Sequence, residues 1–386
     1  MPQVDASGRR DPSAPDEPQG VMFLYWGRRG ALSQFALEAG RSAVIEPSIR
    51  AAISVSRQNE LFGAFAEFGG ALLAVDTFAR GHGAITQAWR IPILRRQLWQ
   101  RLRADRIRAV IDLMPHVWSP FVMPVVHDAG ARYVTVVHDA DPHPGDPTQW
   151  AKPITDLAMR QADAVVTLSA SVAGKLVAGG RVPAGKVHTL FHPDLGYTHA
   201  SGREGPVNGR PWRLLFLGRI MPYKGLPLCI EMVELLRSEG IAVELGVFGE
   251  GPLGASAQRL EGLGAEVVNR WLGAKEIGAA LQRYDAAVLS YVEASQSGVA
   301  AAAFGAGMPV IATPVGGLGE QVQDNVTGVV AAAVDARALA EAAKRLFALP
   351  CHAAICGNIR QRSADRSMAR FVRDIASVGL GRHDGL

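Results

Sequence analysis

Twice along this chain a short apolar run ends in a glycine turn and passes straight into a helical stretch, and no other feature limits its fold so strongly. The first instance is Val21-Met22-Phe23-Leu24-Tyr25, then Gly27-Arg28-Arg29-Gly30 and a helix-like run over 31–39. The second is the apolar run 212–217, the loop 218–225 and a helical stretch over 226–238. Strand, glycine turn, helix is how a Rossmann-like half opens, so the chain reads as α/β. Further apolar runs predict strands at 71–75, 109–113, 133–137, 164–168 and 186–190, and again at 242–248, 266–268, 286–289 and 310–312. Helical stretches separate most of them, the pattern of parallel sheets covered on both faces. The chain's 386 residues exceed one ordinary core, which predicts two domains. Residues 1–20 are polar and Pro-rich and read as a tail. The two Rossmann-like domains are expected at 21–200 and 213–365, with a Gly- and Pro-rich linker at 200–212 and a C-terminal helix or tail at 366–386. Such halves turn the carboxyl ends of their parallel sheets toward a central cleft, where ligands bind.

Charge narrows the ligand. A formal net charge of +4 suits anionic ligands or an anionic membrane surface and is too small to argue for nucleic acid. The three cysteines, Cys229, Cys351 and Cys356, have no zinc-site spacing and fit a reducing compartment without disulfides. Residues 1–20 lack the apolar core of a signal peptide, and no apolar run reaches the length of a membrane span. The expectation is a cytoplasmic protein.

Four segments carry chemistry. The loop Gly218-Arg219-Ile220-Met221-Pro222-Tyr223-Lys224-Gly225 offers glycines for close backbone approach. Arg219 can fork onto phosphate oxygens, Lys224 supplies a point charge, and the next helix N-terminus adds its positive dipole end. A surface loop with incidental charges is the plain alternative. In the segment Ser290-Tyr291-Val292-Glu293-Ala294-Ser295-Gln296-Ser297-Gly298-Val299, Ser295, Ser297 and Gly298 open a small-residue helix whose first N–H groups can hold a pyrophosphate, or are merely capped. In Gly307 to Glu320 a strand runs into a diglycine turn. There Glu320 is a donor-binding candidate or an acid serving a helix dipole. In the first half a strand ends in His138-Asp139-Ala140-Asp141-Pro142-His143-Pro144-Gly145-Asp146. This fits a metal site, a His–Asp pair orienting a sugar, or a structural pair.

Taken in order, these segments resemble the GT-B glycosyltransferases of family 4. The likeness is strongest over residues 212–330 (LLFLGRIMPYKGL, VFGEGP and YDAAVLSYVEASQSGVAAAAFGAGMPVIATPVGGLGEQVQDNVTGVV), looser over LSASVAGKL at 168–176, and weak over 20–110. The resemblance implies GT-B architecture, transfer from a nucleotide-sugar donor with retained anomeric configuration, and no required metal or other cofactor. It also implies a glycan or lipid-linked saccharide acceptor, as in bacterial surface or exopolysaccharide synthesis. Arg219 and Lys224 match the family's pair that neutralises the donor diphosphate, and Gly27 to Gly30 its first-half glycine loop. His138 matches a histidine near the transferred sugar, and Gly298 and Val299 match backbone donors to phosphate or sugar. The expected site is therefore His138, Arg219 and Lys224 as catalytic residues, with Gly27, Gly30, Gly218, Glu293, Ser297, Gly298, Val299 and Glu320 binding the donor. One departure stands out. The family's two glutamates eight positions apart fall here on Ala294 and Ala302, with Glu293 one place from the first. The competing readings are a GT-B epimerase or phosphorylase, and a noncatalytic nucleotide-binding partner subunit.

Residues 90–108 carry seven arginines against one acid, Asp105, interleaved with Ile91, Ile93, Leu94, Leu98, Trp99, Leu102 and Ile107. The spacing Leu94, Leu98, Leu102, with Trp99, makes one apolar stripe at helical period. It predicts either an interfacial membrane anchor or a core helix packed on the sheet.

Overall fold

A computed structural model of the chain describes residues 17–141, 152–199, 205–206 and 209–382. Most of the expected tail, part of the linker, and Pro142, His143, Pro144, Gly145 and Asp146 lie outside the described residues.

Two all-parallel sheets organise the molecule. The first contains β1 (Gln19–Tyr25), β2 (Ile49–Ser56), β3 (Leu72–Val75), β4 (Ile107–Asp112), β5 (Arg132–Val137), β6 (Ala164–Thr167) and β7 (Val187–Thr189), in the order β3-β2-β1-β4-β5-β6-β7. The second contains β8 (Trp212–Leu217), β9 (Val243–Phe248), β10 (Glu266–Val268), β11 (Ala286–Leu289), β12 (Val310–Ala312) and β13 (Gly328–Val330), in the order β10-β9-β8-β11-β12-β13. Both are doubly wound, and strand order reverses between β1 and β4 and between β8 and β11. Ligands bind outside the strand ends at such switch points. Helices cover both faces, so β1 is buried from Val21 through Tyr25, as its unbroken apolar run requires.

The helix Ile91–Ala104 decides between the two readings of the basic segment. Leu94, Leu98 and Leu102 are each at most 2% exposed and pack with Met22, Leu24 and Val110 under the first sheet. The three leucines of the stripe are therefore core and the anchor reading does not hold for them, whereas Trp99 is 41% exposed and lies outside that core.

The helix Met368–Gly379 lies on the first sheet, although the chain reaches it from the second domain. Phe371, Val372 and Ile375 join the core of Val21, Phe23 and Phe35. The Phe371 ring meets Phe35 edge-on at 5.4 Å. The expected terminal element is thus a helix, and it belongs to the first domain's core.

Candidate active site

The cleft between the sheets holds a cavity of about 850 Å³, walled by the loops that follow β1, β4, β5, β8 and β11. Sequence and topology act together here. Each strand ends at the cleft, so the residues just beyond it are delivered to one place.

The turn after β8 does this most exactingly. Gly225 has φ 64° and sits against the Ser290 carbonyl, where a Cβ would collide. That close approach folds residues 222–224 inward and buries the Lys224 side chain. The Lys224 ammonium donates to Tyr291 Oη at 2.6 Å, and Tyr291 Oη lies 3.1 Å from Ser297 Oγ. It also stands over the Tyr291 ring, 4.3 Å from the centroid. Among the described residues Lys224 has no carboxylate within ion-pair distance. Burial brings its pKa down to about 8, with the nearby Arg219 adding to the fall against Tyr223 and Asp139. Arg219 is exposed on the same cavity wall and likewise has no ion pair among the described residues. Two cations without an ion-pair partner among the described residues form a site for an anionic ligand.

The loop after β11 completes this wall. Ser297 caps the helix Gly298–Gly305, its Oγ accepting from Ala300 N–H at 3.3 Å. Gln321 brackets the cap, accepting from Ser297 N–H at 2.8 Å and donating to the Ser297 carbonyl at 2.9 Å. Gly298 and Val299 follow at the cavity, where first-turn N–H groups have no intrahelical acceptor and the dipole favours an anion. Gly218, with φ 102°, also lines the cavity.

Across the cleft His138 follows β5. Its Nε2–H donates to the Leu113 carbonyl at 2.8 Å, and its Nδ1 accepts from the Gln296 amide of the other domain at 2.8 Å. Burial lowers its pKa, outweighing the Leu113 bond and Asp139, so the ring is neutral with its proton on Nε2. Both ring nitrogens are engaged. His192, whose pKa burial pushes down to about 3, and Tyr197 stand beside it on the cavity wall.

Not every expected residue reaches the cavity. Gly30 lines it, and its N–H donates to Glu60 at 2.7 Å; Gly27 sits behind, packed on Tyr25 and accepting from Asn59. Glu293 is partly buried and not on the wall, whereas Ala302 is. Glu320 is turned the other way. Its carboxylate accepts from the N–H groups of Ala170 and Ser171, at 2.6 and 2.8 Å, and so serves the helix Ala170–Ala178 of the first domain. Asp141 is held by Lys152 at 2.6 Å. Reading the sequence did not single out Gln296, His192 or Trp271. Only Gln296 carried a signal, standing inside the ASQSGV segment.

Two doubly wound domains with parallel sheets facing one cleft, and cations and a helix N-terminus on its second-domain wall, define a GT-B molecule. The model of Glycosyltransferase Family 4 matches residues 68–193, and that of Glycosyl transferases group 1 matches residues 211–348, together more than half of the chain. The chain belongs to this family of glycosyltransferases. Over 168 residues it is 33% identical to a glycogen synthase of Mycobacterium tuberculosis, a match covering 42% of this chain and 39% of that protein. The chain thus spans about two fifths of the length of that curated relative. Among solved structures, Anabaena HepE in complex with UDP-glucose superposes with a TM-score of 0.67 at 14% identity, covering 93% of this chain and 98% of the other. A glycosyltransferase from Rickettsia africae gives 0.70 at 13%, covering 95% and 100%. The lipopolysaccharide outer core galactosyltransferase WaaB gives 0.67 at 14%, covering 95% and 100%. At such identities these likenesses speak for the fold.

Proposed function

We propose that this protein moves a glycosyl group from a nucleoside diphosphate sugar to a glycan or lipid-linked saccharide acceptor, with retention of anomeric configuration, in bacterial surface or exopolysaccharide synthesis. The observation that carries the reading is Lys224. It is a buried ammonium on the cavity wall, without a carboxylate partner among the described residues, beside Arg219 and the N-terminus of Gly298–Gly305. Cleaving the glycosidic bond places negative charge on the leaving diphosphate, and these groups stand ready to stabilise it without reorganising. The neutral His138 ring on the opposite wall suits a sugar better than a phosphate. The bound UDP-glucose of HepE makes uridine donors the first to try.

Metal independence belongs to the same proposal. The two cations supply the neutralisation a divalent ion would otherwise give. Asp141 is occupied by Lys152, and no group of three His, Cys, Asp or Glu among the described residues stands close enough to share an ion. Peripheral contact with an anionic membrane rests on a new face. Ile85 (84% exposed), Trp89 (64%), Ile93 (47%) and Phe121 (50%) lie outward near Arg90, Arg95 and Arg96. No helix among the described residues is long and apolar enough to cross a membrane.

Purified protein incubated with UDP-, GDP- and ADP-sugars and saccharide acceptors should release nucleotide, with unchanged rates in EDTA. The anomeric configuration of the product, read by NMR, should match the donor. Product of inverted configuration, or activity lost in EDTA and restored by manganese, overturns the corresponding part. Interconversion of donor epimers favours an epimerase. A donor left intact with every acceptor favours the noncatalytic partner.

A further inference from the structure

We propose that the acceptor carries an acidic group, a carboxylate or a phosphate, which Arg28 and Arg29 hold beside the donor pocket. The inference rests on the glycosyl-transfer reading above and deepens it by naming the acceptor's chemistry. A second cavity of about 400 Å³ is lined by Arg28, Arg29, Gln58, Glu60 and Ala79. It adjoins the main cavity and shares Arg29 and Glu60 with it. Its walls are the loops after β1, β2 and β3, which the parallel sheet delivers to the cleft.

The two guanidiniums are positioned without being neutralised. Arg29 lies over the Trp271 ring, 4.9 Å from its centroid, a stack that orients the planar fork and leaves its N–H donors unused. None of those donors reaches a described residue. Arg28 lies over the Phe78 ring at 5.8 Å and donates to the Ala79 carbonyl, a neutral acceptor. Neither arginine has an ion pair among the described residues. The acids nearby are engaged elsewhere. Asp76 takes Arg57 at 3.7 Å and the Gln58 amide at 3.1 Å, and Glu60 accepts from Gly30 N–H and Trp271 Nε1–H. The lining therefore keeps two positive charges against one negative. Two adjacent forks suit an oxyanion that accepts paired N–H donors. The donor's diphosphate is a poor candidate for that anion. In the reading above Lys224, Arg219 and the helix Gly298–Gly305 meet it on the other wall. At the N-terminus of the helix Ala31–Ile45, where a phosphate would meet the first domain, Glu60 already takes the Gly30 N–H. A second anionic subsite at the cleft then belongs to the second substrate. Because the two cavities share a wall, the acid lies close to the hydroxyl that receives the glycosyl group. Trp271 comes from the second domain, so the subsite is completed across the cleft.

The test uses the full chain with UDP added to fill the donor pocket. Methyl glucuronide is compared with methyl glucoside, and glucose 1-phosphate with glucose, with binding read by calorimetry. Wild type should bind at least one acidic probe about tenfold or more tighter than its neutral counterpart. A preference in the glucuronide arm alone identifies a carboxylate, and one in the phosphate arm alone a phosphate. The preference should fade as salt rises. Arg28→Gln and Arg29→Gln should each bring the ratio to within about twofold of unity and change UDP binding by no more than that. Arg29→Gln is the cleaner variant, since Arg28 also ties down Ala79, and an unfolding midpoint close to wild type shows the loops are intact. Lys224→Ala should do the reverse, weakening UDP and keeping the acidic preference. The proposal is overturned if wild type binds neither acidic probe better than its neutral counterpart. It is equally overturned if Arg29→Gln keeps the preference, or weakens UDP as much as the acidic probe. Absence of UDP binding would sink the donor reading by itself, while the acidic preference and its loss in Arg29→Gln still decide the arginines' role.

Discussion

Lys224 gives the clearest residue-scale prediction. Burial disfavours its ammonium and brings its pKa down to about 8. A bound diphosphate favours the ammonium and raises that pKa. Between about pH 8 and the ordinary lysine range the complex therefore holds more protons than the free protein. Binding of UDP should take up a proton there, and affinity should fall as pH rises above 8. Calorimetry at pH 8.5 in buffers of different ionisation enthalpy checks the uptake; a pH-independent affinity from 7.5 to 9.5 would count against contact with the phosphates. Arg219→Ala and Lys224→Ala should each cost roughly 2–4 kcal/mol in transition-state stabilisation. Both cations were legible in the sequence because one short turn carries them. His192 was not, because its place rests on burial that periodicity does not report, and Gln296, although inside the ASQSGV segment, meets a partner, His138, 158 positions away.

At the scale of elements, the helix Ile91–Ala104 separates two faces that the sequence merges. Leu98 is fully buried, so Leu98→Ala should destabilise by about 2–5 kcal/mol in denaturant unfolding. Trp89→Ala and Ile93→Ala should leave stability nearly unchanged but weaken sedimentation with anionic liposomes, an association that should also fade as salt rises. Wild-type protein that stays in the supernatant at low salt removes the membrane contact altogether. Strand reading fared well where apolar runs were unbroken: β8, β10, β11 and β12 stand at the expected residues. It missed β2, whose IRAAISVS run is diluted by serines. Ser54 and Ser56 are nonetheless fully buried, because Trp26 Nε1 donates to one at 3.0 Å and Thr77 pairs with the other at 2.6 Å. It also missed β13, whose first residue, Gly328, closes the turn-forming run Asp324-Asn325-Val326-Thr327-Gly328.

Over the whole molecule, closure is held by bonds that cross the cleft. Glu320 meets the helix Ala170–Ala178, Ser169 Oγ donates to the Ser295 carbonyl at 3.1 Å, and Trp271 Nε1 donates to Glu60 at 3.0 Å. Glu320→Ala removes an acid at a helix N-terminus worth about 0.3–1 kcal/mol. It should open the donor-free molecule, seen as a larger radius of gyration in solution scattering, and raise donor KM more than it lowers kcat. An unchanged radius would show that the other bonds suffice. The return of Met368–Gly379 to the first sheet has a practical consequence. A single cut in the linker does not divide this protein into two stable pieces, since the upstream fragment would expose the Phe35 and Val21 surface that Phe371 covers. Each half becomes a self-sufficient unit only if the last helix is transplanted ahead of the first strand, as in a circular permutant, or supplied in trans as a peptide.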